Sequence, residues 1–339
     1  MKNPADKASA SEKKSAPDKN RARHLVTGAA GVIGFELTRQ LLAAGERVLA
    51  VDVFKKGGRA DLEQLAREHD GALEILDSDL AHPTASNGML PSERFDTIFH
   101  FAAIVGVRYV MDHPYETVSV NMKSTLNVLD HAIAHGCDSF FFASSSENYA
   151  SGADAGTVAV PTPENVTLSI ADIELPRWSY AASKICGESA VFGAAPLGKF
   201  TPIVVRFHNV YGPRMGPTHV IPEMLARCKA NTDPFPIFGA EQTRSFLYIE
   251  DAGRALMHVL TAARAKKGGL YNIGAPLETK IVDLAKIVFD VTGHKPKLDL
   301  KPAPKGSVQR RVPNIAKIKK LGFEPRVGLL EGVRTCWRG

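Results

Sequence analysis

The chain has 339 residues, 44% of them apolar and 23% charged, with a formal net charge of +6. That composition describes a globular chain long enough for one broad domain with an appended lobe, or for two domains, and it excludes collagen, coiled coil and wholesale disorder. No apolar run approaches the roughly 20 residues that cross a bilayer, and the N-terminus lacks the apolar core of a signal peptide, so a cytoplasmic protein without a membrane partner is expected. Residues 1–23 hold seven Lys/Arg against three Asp/Glu. This leader has no apolar periodicity and is expected to be a disordered basic tail over 1–22. The rest of the chain is then nearly neutral, which removes the case for nucleic acid as a partner. Cys137, Cys186, Cys228 and Cys336 show no paired spacing, so reduced thiols are expected, with neither a disulfide framework nor a metal site.

From residue 24 short β-rich runs alternate with longer helical stretches. In order they are "HLVTG", a helix over 32–44, "RVLAVD", "LEILDSD", "DTIFHFAA", a long helix near 115–135, "SFFFASS", a helix near 179–192, "PIVVRF" and a helix over 249–261. Apolar runs bounded by Gly or Asp and separated by amphipathic segments argue for βαβ units, hence an α/β fold with a doubly wound parallel sheet. The expected division is a Rossmann domain over 23–206, joined by 245–265, and a smaller C-terminal lobe from 207–244 and 266–339. Pro- and Gly-rich stretches at 150–177, 212–219, 231–245 and 300–313 read as loops around a ligand site between the two.

Two motifs carry chemistry. In "VTGAAGVIG", Gly28, Gly31 and Gly34 lie between a strand and a helix, where they allow a tight turn and bring a pyrophosphate to the positive helix end formed by Val32 and Ile33. A second strand ends at Asp52, 24 residues past Gly28, where a carboxylate accepts from an adenosine ribose and repels a 2′-phosphate. The cofactor expected is therefore NAD, with Lys55, Lys56 and Arg59 nearby moderating the preference over NADP. In "YAASK", Tyr180 and Lys184 share one helix face. An ammonium beside a phenol stabilises the phenolate, so Lys184 is expected to lower the Tyr180 pKa and let it take a proton from a substrate hydroxyl.

These residues resemble the extended short-chain dehydrogenase/reductase family, in its NAD-dependent epimerase/dehydratase branch acting on nucleotide-diphosphate sugars. The resemblance spans about residue 23 to the C-terminus. It includes "DSDL", "HFAA", "NMKSTLNVL", "RFHNVYGPR", "QTRSFLYIEDAGRAL" and "NIGAP". It implies that Asp79 and Leu80 lie by the adenine, that Ala102, Ala103 and Asn121 flank the cofactor, and that Tyr180 and Lys184 are catalytic, with Lys184 also at the nicotinamide ribose. Asn209 and Arg244 match residues contacting the sugar diphosphate. The family's late "Arg-Pro-Gly-Asp" is here "PKGS", so Lys305 or Arg310 is expected to replace its phosphate-binding Arg. The resemblance further implies a homodimer joined through the helices near 115–135 and 179–192. His113, His131 and His135 show no ligand spacing and read as surface or dimer-helix residues.

Counting back from Tyr149 places the family's catalytic hydroxyl at Ser145, with Ser146 beside it on the substrate side and Glu147 in the slot where dehydratases and decarboxylases carry an acid. Asn148 and Ala150 replace the usual Val and Gly, which is expected to alter the turn aiming Glu147. The bland reading of Glu147 is a salt-bridged loop residue. The functional one is a base at C5 of a 4-keto sugar, driving loss of the C6 hydroxyl. The first expectation is thus a 4,6-dehydratase-type elimination through a transient 4-keto intermediate. The alternatives are a C4 epimerase, a UDP-glucuronate decarboxylase-like enzyme, although "AAIVGVRYVM" does not look like the decarboxylases' corresponding loop, and a non-enzymatic NAD-binding sensor or assembly protein.

Overall fold

The computed structural model describes residues 21–82, 90–304 and 307–339, so the leader up to residue 20 and Lys305 lie outside the described residues. β1 (Arg23–Thr27) leads into α1 (Val32–Ala43), followed by β2 (Arg47–Asp52), α2 (Arg59–Glu68), β3 (Leu73–Asp77) and β4 (Thr97–His100). Next come α3 (Val107–Asp112), α4 (Pro114–His135), β5 (Ser139–Ser145), a single 3₁₀ turn at Ser146–Tyr149, α5 (Ala150–Asp154), α6 (Trp178–Ala194) and β6 (Thr201–Phe207). The last part holds β7 (Val210–Tyr211), α7 (Val220–Lys229), β8 (Phe235–Phe238), β9 (Thr243–Arg244), β10 (Leu247–Tyr248), α8 (Ile249–Arg264), β11 (Gly269–Ile273) and β12 (Thr279–Lys280). It closes with α9 (Ile281–Thr292), β13 (Leu298–Lys301), β14 (Arg310–Arg311), α10 (Ala316–Lys319) and α11 (Leu329–Arg338).

Seven strands form one parallel sheet in the order β11-β6-β5-β4-β1-β2-β3. Its apolar strands do not alternate with polar residues because both faces are covered. In β5 the ring of Phe141 joins the core under α1 and α8, whereas Phe140 and Phe142 join the core under α4 and α6, and all three are wholly buried. Period-two geometry sorts three consecutive phenylalanines onto opposite faces, each contributing about 2–3 kcal/mol of burial. α6 approaches β5 closely because Gly187 faces the Phe142 ring: a Cβ there would lie 2.2 Å from its Cζ atom.

The division expected at residue 266 is not the one the sheet makes. β11 pairs with β6 along its whole length as an edge strand of the large sheet, so 269–273 belongs with the Rossmann layer and not with the lobe. The smaller sheets β10-β7, β12-β9-β14 and β13-β8 lie in the segments after Phe207. The sequence order runs one way from β1 through β3 and the other way from β4 through β11, so a crevice opens beyond the C-terminal ends of β1 and β4. The glycine loop, Asp52, Ala102 and Ser145 sit at that edge, after β1, at the end of β2, after β4 and at the end of β5.

Candidate active site

The glycine loop fits a dinucleotide closely. Gly28 turns with φ +68°, and a Cβ on it would stand 2.6 Å from the Ala102 backbone nitrogen. A Cβ on Gly34 would stand 2.2 Å from the Gly28 carbonyl oxygen. Side chains at either position would fill the cradle where backbone N–H groups at the start of α1, around Val32 and Ile33, stay open to an anion. Asp52, at the tip of β2, is oriented by the Ala30 and Phe54 N–H groups, each donating at 3.0 Å. A carboxylate held this way keeps lone pairs for ribose hydroxyls. Asp79 accepts from the Ala81 N–H at 2.9 Å, and Leu80 is buried with its carbonyl taking the Asn127 amide at 2.9 Å. Burial pushes the Asp79 carboxyl up, but that N–H and His82 hold it below its ordinary value.

Behind the crevice a buried relay fixes the loop after β4. The Thr27 hydroxyl accepts from the Phe101 and Ala102 N–H groups and meets His100 Nδ1 at 2.9 Å, while His100 Nε2 meets Thr125 at 3.0 Å. Burial and the Lys184 charge hold His100 down to about 3, so the ring is neutral. Asn121 accepts from the Ile104 N–H at 2.7 Å and donates to Ser183 at 3.1 Å, tying the 102–104 segment, including Ala103, to α6. Its amide therefore braces the floor of the cofactor crevice.

Ser145, Tyr180 and Lys184 lie together, Tyr180 and Lys184 as their spacing on one helix required. The Ser145 hydroxyl hydrogen-bonds the Tyr180 phenol. It also caps the 3₁₀ turn, accepting from the Glu147 N–H at 3.2 Å. Lys184 is 4% exposed, with its Nζ 5.7 Å from the Tyr180 ring centre and 5.0 Å from that of Phe142. One expectation is overturned here. Tyr180 is pushed up to about 12, chiefly by burial and further by Glu147, against the Ser145 hydrogen bond. Lys184 is itself brought down to about 7 by burial, with Glu188 opposing. Spacing gave proximity, but desolvation sets the sign.

The turn carrying Glu147 survives its two substitutions. Ala150 has φ −56° and ψ −49°, helical values that need no glycine. Asn148, wholly buried, donates to Ser144 at 3.1 Å and to Glu188 at 2.8 Å. Ser146 is only 2% exposed, so it belongs to the turn's packing and not to an open substrate face as expected.

Glu147 itself is clamped. One oxygen takes Arg177 at 3.0 Å and the other takes Arg311 at 2.8 Å. Burial pushes its carboxyl up, yet the two guanidiniums outweigh that and hold it below the usual carboxylate value. Arg244 stands directly across from Arg311 in the β14–β9 register, and burial with repulsion from Arg311 brings it down to about 10. Arg310, the expected phosphate ligand, points the other way and forms a bidentate pair with Glu278 at 2.8 Å on the exposed side. Adjacent strand residues face opposite ways, so it is Arg311, one position later, that turns toward Glu147. Arg177 was missed as well, since nothing in its local pattern marks it. Asn209, with φ +35°, donates its amide to the Ser245 carbonyl at 3.0 Å and links the β6–β7 corner to the Arg244 strand.

A parallel sheet with a glycine-tight crevice and a Ser/Tyr/Lys group at the end of β5 defines an extended short-chain dehydrogenase/reductase. The pattern of the NAD dependent epimerase/dehydratase family matches residues 24–274, and the chain belongs to that family. The UDP-N-acetyl-alpha-D-glucosaminuronate decarboxylase of Bacillus cytotoxicus is 31% identical over 93% of this chain and 96% of its own length. The UDP-glucose 4-epimerase of Mycolicibacterium smegmatis is 28% identical over 92% and 96%. The crystal structure of DesIV, a dTDP-glucose 4,6-dehydratase from Streptomyces venezuelae with NAD bound, superposes with a TM-score of 0.80 at 26% identity, over 93% of this chain and 96% of that one. The chain is thus an NAD-dependent enzyme of the nucleotide-sugar epimerase, dehydratase and decarboxylase group. Among the described residues no helix is long and apolar enough to cross a membrane.

Proposed function

We propose that this enzyme decarboxylates a nucleotide-diphosphate hexuronic acid through a transient 4-keto sugar. The observation that carries the reading is the clamp on Glu147: Arg177 and Arg311 grip a carboxylate beside Tyr180, and Arg244 adds a third guanidinium. Three cations around one anion suit a substrate that brings a diphosphate at one end and a carboxylate at the other. The same clamp weakens the case for 4,6-dehydration, because a carboxylate stabilised by two guanidiniums is a poor base toward the C5 proton. Decarboxylation needs no base there. The similarity to the B. cytotoxicus decarboxylase supports the same choice.

Gly28, Gly31 and Gly34 with the N-terminus of α1 would hold the NAD pyrophosphate, Asp52 the adenosine ribose, and Lys184 the nicotinamide ribose. When bound, NAD supplies a hydride acceptor and donor at C4. As a phenolate, its own proton passed to solvent and its charge stabilised by Lys184 and by the positive nicotinamide when NAD⁺ is bound, Tyr180 would take the C4 hydroxyl proton, with Ser145 fixing the hydroxyl's position. A ketone at C4 makes the C6 carboxylate a β-keto acid. The C5–C6 bond then breaks, carbon dioxide leaves, and the electron pair remains at C5 as an enolate that takes up a proton. Tyr180 returns its proton to the C4 oxygen as the ketone is reduced, so the sequence is redox-neutral. C4 epimerisation is the second reading, favoured by the fact that Ser145, Tyr180 and Lys184 suffice for it and by the M. smegmatis relative. The expected homodimer through α4 and α6 is part of the proposal, supported by exposed Tyr115, Leu126 and Phe192 on those helices.

Mass spectrometry of UDP-glucuronate, UDP-N-acetylglucosaminuronate, UDP-glucose and dTDP-glucose reactions tests the choice. Loss of carbon dioxide from a uronate is expected. Loss of water from a neutral hexose, or an epimer of unchanged mass, would overturn it.

A further inference from the structure

Beneath the catalytic helix lies a buried charged group that the steps above do not use. Glu188 is 6% exposed and sits one turn after Lys184 on α6, a spacing that puts both on one helix face. Its carboxylate is fully engaged from three elements. The Ser144 hydroxyl of β5 donates to it, Asn148 of the 3₁₀ turn donates at 2.8 Å, and Arg206 of β6 donates through Nε at 2.7 Å and Nη2 at 2.5 Å. Arg206 is held in turn by the Tyr149 hydroxyl at 2.7 Å, and that hydroxyl donates to Asn272 at 2.8 Å.

Lys184 is thus the buried ammonium and Glu188 the nearest anion on its own helix. The other groups around Lys184 are Tyr180 on α6, neutral His100 on β4, and the rings of Phe142 and Tyr180 against its Nζ. None of these brings a negative charge when Tyr180 is protonated. Arg206 is paired with Glu188, and Glu147 is paired with Arg177 and Arg311. An ammonium in this setting loses its proton to burial unless an anion faces it.

We propose that Glu188 is a positioning residue that keeps Lys184 cationic, its carboxylate locked in place by Ser144, Asn148 and Arg206. Lys184 thereby stays charged while Tyr180 exchanges protons. The hydrogen bonds to Ser144 and Asn148 also fix the turn that presents Ser145, so one buried carboxylate sets both the charge and the register of the catalytic group. This rests on the Ser/Tyr/Lys arrangement and not on the choice of decarboxylation.

The test is an NMR titration of NAD⁺-loaded protein carrying lysine labelled with ¹³C at Cε, the Lys184 signal being assigned by its loss in Lys184→Ala. In Glu188→Gln the midpoint is expected to fall by about one pH unit or more, since an anion one helical turn away is removed. Arg206→Met removes the cation paired with Glu188 and is expected to move it upward. Glu188→Asp is expected to keep it near the wild-type value. NAD⁺ binding by tryptophan fluorescence reports folding of each variant, and the Arg206→Met arm carries the test if Glu188→Gln fails to fold. A midpoint unmoved in folded Glu188→Gln, or moved in the same direction by both neutralisations, would refute the assignment, because a purely structural role would lower stability without shifting the titration.

Discussion

Two glycines on the same helix allow the α6–β5 contact to be tested by one chemical change made twice. A methyl group at Gly187 would stand 2.2 Å from Phe142 Cζ and 2.8 and 2.9 Å from the neighbouring ring carbons, whereas at Gly193 it meets nothing within 4 Å. Relieving the first contact to an ordinary carbon separation of about 3.5–4 Å requires the helix or the ring to move by over 1 Å. Phe142 is wholly buried, so neither moves freely. Overpacking of this kind costs about 1–3 kcal/mol, while replacing a helical glycine by alanine returns up to about 1 kcal/mol at both sites. Gly187→Ala is therefore expected to lose about 2 kcal/mol and Gly193→Ala to gain about 0.5–1 kcal/mol. Lys184 lies one turn from Gly187 and packs on the same ring, so Gly187→Ala is also expected to lower kcat at least about tenfold. Denaturant melts of both variants with NAD⁺ present, together with turnover, give the readout. Equal stability changes at the two glycines would show that helix propensity and not the Phe142 contact governs the helix, and the packing argument would fall.

Tyr180→Phe is expected to lower turnover by about 10²–10⁴-fold while NAD⁺ binding persists; normal turnover would remove the phenol from the mechanism. Arg311→Leu should lower kcat/KM for the hexuronate by about 100-fold, whereas Arg310→Leu, which breaks an exposed pair, should stay within about twofold; the reverse order in steady-state assays would contradict the strand register. The Glu147 carboxyl has a depressed folded-state pKa, so its ion pairs add stability above the ordinary carboxylate range, and that stability is lost as pH falls through the depressed value. Glu147→Gln is therefore expected to melt earlier than wild type at neutral pH, with the gap closing on acidification; a gap constant with pH would show that the pairs contribute no linkage.

What was legible in the sequence was local. Three phenylalanines in a row, glycines between a strand and a helix, and a Tyr and Lys four apart each imply their geometry within a few residues, and β5, the β1–α1 turn and the Tyr180/Lys184 pair follow from them, with Ser145 placed by the family resemblance. What was not legible depended on partners far along the chain. β11 is five residues long and includes Gly269 and Asn272, and only its pairing with β6 makes it part of the large sheet. The choice of Arg311 over Arg310 is set by a two-residue strand whose register against β9 has no signature of its own. Arg177 meets Glu147 from thirty residues further along the chain. α2 went unread because its apolar face is only Leu62 and Leu65 in an otherwise charged segment. The Tyr180 acidity failed for a related reason: sequence spacing shows which groups are near, and solvent exclusion is a property of the whole fold.

The β14 arginine has a consequence for how this enzyme is made. During synthesis the chain can pair β1 through β6 and form the Gly28 loop, Ser145, Tyr180 and Lys184 long before residue 311 emerges. At that stage Glu147 lacks one of its two counter-cations, and Tyr149 lacks Asn272, its anchor from β11. The catalytic end of the sheet is therefore completed last, by a segment remote in sequence. A nascent chain that already holds the Gly28 loop, Ser145, Tyr180 and Lys184 still lacks the Arg311 half of the Glu147 clamp and the Asn272 anchor of Tyr149, so the surroundings of the catalytic group are set only when the last strands arrive.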